Sequence, residues 1–73
     1  MIRLTLDDYL KKVGVSRYRL SKLTHIGFPT IDAYYKNKVT RYDGYLLNQI
    51  CNALHCELTD ILHYEKDPEE ENE

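Results

Sequence analysis

The side chains able to do chemistry in this 73-residue chain fall into three groups, of which the basic one is the most concentrated. Residues 1–41 carry nine Lys and Arg (Arg3, Lys11, Lys12, Arg17, Arg19, Lys22, Lys36, Lys38, Arg41) against three acids (Asp7, Asp8, Asp32), a net of +6. Cations gathered in this way neutralise a polyanion and release its counterions. Residues 42–73 hold Lys66 alone against nine acids, a net of −8, and six of those acids lie in 65–73. The overall charge of −2 thus conceals a basic body and an acidic end.

The second group is Cys51, His55 and Cys56, with His63 or His25 in reserve. Paired zinc ligands are usually two to four residues apart, and Cys51 to His55 nearly qualifies. Cys51 also falls on the apolar stripe of a helix, so the group reads as packing, with no metal and no cofactor. The third group is the hydroxyls, none of which has a base partner at a recognisable spacing. No glycine-rich phosphate loop is present, and the paired acids near the C-terminus lack a pocket. The chain reads as a non-enzyme.

The elements that position these side chains are five short helical segments. Thr5 caps the first, with Asp8 as its partner in a capping box and Leu4 and Tyr9 as a hydrophobic staple. Leu6, Tyr9, Leu10 and Val13 form its buried stripe, and Gly14 ends it. Ser16 caps the second, with Val15 and Leu20 as the staple and Leu20 and Leu23 facing inward. Gly27 caps the third after only about three intervening residues, and Pro29 is tolerated because first-turn amides have no intrahelical partner. This helix runs through Ile31, Tyr34 and Tyr35 to Asn37, which closes it in the left-handed conformation. Asp43 caps the fourth, with Leu47, Ile50, Cys51 and Leu54 as its stripe. Leu58, Ile61 and Leu62 mark a short fifth. No run alternates with period two, so strands are not expected and the fold class is all-α.

Two helices joined by so short a turn must cross steeply, and Ser21 lies where their backbones come close. Leu20, Leu23, Ile26, Ile31 and Tyr34 would pack such a pair inward. The stretch Ser16-Arg17-Tyr18-Arg19-Leu20-Ser21-Lys22-Leu23-Thr24, with Ile26, Ile31, the Lys36-Asn37-Lys38 loop, Leu47, Ile50, Ala53, Leu54 and Leu58-Thr59-Asp60-Ile61-Leu62, resembles the phage repressor and Cro (XRE) family. The likeness covers roughly residues 4–64. It implies a compact five-helix, lambda-repressor-like domain over 1–64, whose second and third helices form a helix-turn-helix that binds double-stranded DNA. Residues 65–73, without an aliphatic or aromatic side chain, read as an acidic disordered tail that is solubilising, competes with phosphate for the basic face, or engages a partner protein.

Carried over position by position, the resemblance puts base contacts on Phe28, Pro29, Thr30 and Ala33, with Asp32 adjacent. It puts phosphate contacts on Ser16, Arg17, Lys36, Lys38, Thr40 and Arg41. The cations suit phosphate. The base-reading set contains no Arg, Lys, Gln or Asn for a bidentate pair, leaving apolar contacts with thymine methyls and one hydroxyl. Phe28 is placed in the groove or over the end of the helix pair. His25 stands where the family usually has a turn glycine, Ser21 where alanine is common, and Cys56 where a small hydrophobe is usual.

The implied function is that of a cytoplasmic transcriptional regulator, a repressor, working as a homodimer through the fifth helix (Leu58, Ile61, Leu62, Tyr64). The alternative is a helix-turn-helix module turned to protein binding, such as an antirepressor or an inhibitor of a nucleic-acid enzyme. No stretch approaches the roughly 18 apolar residues that span a bilayer, so no membrane partner is expected.

Overall fold

The first and last of the described residues meet. In the computed structural model, which describes residues 1–66, β1 (Ile2–Leu4) is followed by α1 (Leu6–Val13), α2 (Arg17–Thr24), α3 (Phe28–Tyr35) and α4 (Gly44–Leu54). A single 3-10 turn (Leu58–Asp60) then leads into β2 (Leu62–Tyr64). The strands pair antiparallel, Ile2 opposite Tyr64, Arg3 opposite His63 and Leu4 opposite Leu62. Beyond the register, Glu65 N donates to Met1 O at 2.7 Å, the Met1 amino group donates to Glu65 O, and Arg3 Nε lies 3.2 Å from Glu65 Oε1.

Among the described residues the fold is therefore mostly helical with a small sheet, four α-helices rather than five, and the all-α expectation is corrected. Three-residue strands are too short to show a period of two, and each depends on a partner some sixty residues away. The same finding removes the fifth helix as a dimer surface. Ile61 is fully buried and Leu62 is half-buried in the sheet, while Leu58 and Tyr64 are exposed. The acidic tail expected over 65–73 lies, beyond Lys66, outside the described residues.

Local sequence explains the four helices. Ser16 Oγ accepts from Arg19 N at 3.0 Å, and Asp43 Oδ1 accepts from Tyr45 N at 2.8 Å, both as N-caps. Gly14 ends α1 at φ 73°. Gly27 is the N-cap of α3, with Pro29 in its first turn. Thr5 is in the N-cap position of α1 but does not form the expected capping box. Its hydroxyl donates to Asp60 O at 3.2 Å and its amide to Ile61 O at 2.8 Å, so the returning chain end takes the bonds intended for Asp8. Asp60 turns back instead on Glu57, accepting from its amide at 2.8 Å.

The core is Leu4, Leu6, Leu10, Leu20, Ile31, Tyr34, Leu47, Ile50 and Ile61. Each fully buried aliphatic side chain contributes about 1.5–3 kcal/mol relative to exposure. Val13 and Leu23, expected inward, are 43% and 47% exposed. A two-turn helix buries a narrow stripe, and on α2 Leu20 and Thr24, four apart, occupy it. Among the described residues no helix is long and apolar enough to cross a membrane.

Candidate nucleic-acid interface

The turn between α2 and α3 is only His25, Ile26 and Gly27, and two hydroxyls of α2 hold it. Ser21 Oγ donates to Ile26 O at 2.6 Å. Thr24 Oγ1 donates to Leu20 O at 2.8 Å and accepts from Ile26 N at 3.2 Å. Thr24 is buried, and these bonds offset the loss of water around its hydroxyl. Ser21 was legible as the small residue at the crossing. Thr24 was not, because a threonine does not mark a buried stripe as an aliphatic side chain does. His25 closes α2 at φ 61°, a conformation that costs a side chain with a Cβ about 1–2 kcal/mol.

The α3 helix is anchored from its inner face. Ile31 is fully buried, and the buried Tyr34 accepts from Asp43 N through its hydroxyl at 3.1 Å while its ring meets Tyr42 edge-on, centroids 6.4 Å apart. Both tyrosines pack. Asn37, at φ 57°, follows α3, and its Oδ1 accepts from Leu4 N at 3.0 Å. The outer side of α3 begins with Phe28, 41% exposed, and the exposed Pro29; Thr30 and Ala33 are half-buried behind them. The four base-contact candidates thus lie in the first turn and a half of one helix.

The phosphate candidates divide into two kinds. Lys36, Lys38, Thr40 and Arg41 are exposed on the segment leaving α3, and Lys38 and Arg41 make no ion pair among the described residues. Ser16 and Arg17 open α2, but each is already engaged. The Ser16 hydroxyl caps its own helix. Arg17 Nη1 is 2.5 Å from Asp32 Oδ1, and its guanidinium lies over the Tyr35 ring at 4.4 Å from the centroid. Lys36 Nζ is 3.0 Å from the other oxygen, Asp32 Oδ2. The Lys36 hydrogen bond holds the Asp32 carboxyl below its ordinary value; partial burial opposes this and Arg17 reinforces it. The sequence marked Asp32 as an acid beside the proposed base-contact positions, and Lys36 four residues on is its ordinary helical neighbour; the second partner had no visible link to it. Arg17 is fifteen residues away and on another helix.

Cys51 and Cys56 are free and half-buried. Burial, and then Cys51 beside it, push the Cys56 thiol up to about 12, so it remains protonated at neutral pH. His55 closes α4 in the left-handed conformation at φ 54°. Among the described residues, no three His, Cys, Asp or Glu are grouped to hold a metal ion.

Two helices joined by a three-residue turn, the second with an exposed start and cations on its flanks, define a helix-turn-helix protein of the nucleic-acid-binding kind. A family model described as the Cro/C1-type HTH DNA-binding domain matches residues 5–67, and the chain belongs to that family. Comparison with curated proteins and with solved structures found no match.

Proposed function

We propose that the chain is a transcriptional regulator, a repressor, that lays α3 in the major groove of double-stranded DNA. The observation that carries this reading is the flanking of an exposed α3 start by cations: Arg17 on the preceding helix, and Lys36, Lys38 and Arg41 on the following segment. Ser16, Arg17, Lys36, Lys38, Thr40 and Arg41 hold phosphates, and Phe28, Pro29, Thr30 and Ala33 meet base edges. The apolar character of the second set makes thymine methyls its natural targets. One domain of this size covers a single half-site, so a homodimer on two half-sites about one helical turn apart gives the protein its operator.

Binding of the full chain to duplexes at two salt concentrations tests the proposal. Affinity should fall with salt, and charge reversal of Lys38 and Arg41 should weaken binding to all duplexes alike. Selection from a random duplex pool should enrich a palindrome. Absence of binding to any duplex at low salt would favour the second reading, a helix-turn-helix surface that docks a protein. The acid at the centre of α3, Asp32, is the feature that supports it.

A further inference from the structure

One carboxylate in α3 is gripped by two cations, one on each oxygen. Arg17, from the start of α2, reaches Oδ1 of Asp32 at 2.5 Å, and Lys36, which caps the C-terminus of α3, reaches Oδ2 at 3.0 Å. The Tyr35 ring supports the guanidinium from a second direction at 4.4 Å. An open cleft of about 320 Å³, lined by Lys11, Ser16, Arg17 and Tyr35 among others, lies beside it. A guanidinium and an ammonium converging on separate oxygens of one anion is an arrangement that also holds a phosphate group.

We infer that Arg17 and Lys36 form a single oxyanion cradle which the chain's own Asp32 fills, so that a DNA phosphate must compete with an internal carboxylate for it. The inference rests on the proposed DNA binding and adds to it a residue that limits affinity. With Asp32 ionised, the three groups carry a net charge of +1 rather than +2, and the carboxylate repels the incoming phosphate. The effect is independent of base sequence: Asp32 weakens binding to every duplex and shortens the time spent on each. A carboxylate that merely aligned Arg17 for phosphate would act with the opposite sign.

The test is fluorescence anisotropy of the full chain with a 20-base-pair duplex of arbitrary sequence over a range of salt. Asp32→Asn should bind about five- to tenfold tighter at low salt, about 1–1.4 kcal/mol. Its salt slope should steepen by about 0.9, because one more net positive charge faces the phosphates. Asp8→Asn, on the exposed side of α1, removes the same charge elsewhere and should change affinity less than about twofold. Arg17→Gln should cost more affinity in the Asp32→Asn background than in the native chain. Asp32→Ser is the second neutral variant should the amide disturb folding, as judged by circular dichroism.

A native chain that binds duplex, with Asp32 variants that bind no tighter, overturns the inference and leaves the proposed function standing. Equal gains from Asp8→Asn and Asp32→Asn also overturn it, since net charge alone would then account for them. Failure of both the native chain and the Asp32 variants to bind any duplex removes the proposed function and the inference together. Binding by the Asp32 variants alone supports it.

Discussion

The amide of Leu4 donates to Asn37 Oδ1 at 3.0 Å, tying β1 to the turn that follows α3. Asn37 does two things at once, since it also sits at φ 57°. Asn37→Ala should lose about 1–3 kcal/mol from the orphaned Leu4 amide, and more from the left-handed backbone. Asn37→Gly removes the acceptor while suiting the backbone, so it should cost less. Urea unfolding of the two variants would separate the contributions.

Ile61 is fully buried and belongs to the core rather than to an outer surface. Ile61→Ala should destabilise the fold by about 2–5 kcal/mol. Leu58→Ala, at an exposed position, should cost far less. Thermal melts give the ranking, and equal losses would mean that the C-terminal segment does not close over the core.

The Asp32 ion pairs predict a stability that fades in acid. The folded pKa is depressed, first by the Lys36 hydrogen bond and also by Arg17, with burial opposing them. The stabilisation is complete above the ordinary value of 3.8 and disappears as pH falls through the lower folded value. The stability difference between the native chain and Asp32→Asn should be flat from about pH 7 to 5 and narrow below about pH 4. A difference unchanged into strong acid would mean that the pairs do not form in solution.

Phe28 is exposed enough for its removal to leave the fold largely intact. Phe28→Ala should weaken binding to a selected site by about 1 kcal/mol or more, with a smaller loss on arbitrary DNA. Equal loss on both duplexes would assign the ring to packing over the helix pair.

His25 carries a side chain in a conformation that glycine adopts freely. His25→Gly should raise stability by about 0.5–1 kcal/mol, the relief of strain outweighing the greater freedom of glycine in the unfolded chain. A thermal melt shifted upward by a few degrees would register this. DNA affinity should be unchanged.

Much of the helical frame could be read from short-range chemistry. Ser16, Asp43, Gly14, Gly27 with Pro29, and Asn37 each set a boundary through groups no more than a few residues away, and the structure places them as local rules require. The candidate contacts could be named from the sequence as single positions, but the ion pairs among them could not. Arg17 was visible as a cation opening a helix, whereas its grip on Asp32 depends on how two helices cross. The same limit hid the sheet: nothing within a few residues of Ile2 or Tyr64 says that they pair. Thr5 shows the competition directly, its side chain being suited to a capping box and its bonds going instead to Asp60 and Ile61.

The pairing of Ile2 with Tyr64 brings the two ends of the described chain side by side, and this geometry governs how the molecule yields to force. Tension applied through Met1 and Lys66 would pull the antiparallel strands apart crosswise, loading their hydrogen bonds one after another instead of all at once. Resistance in that direction is low until Leu4 and Ile61 are drawn from the core, at which point the mechanical clasp and the hydrophobic interior give way together.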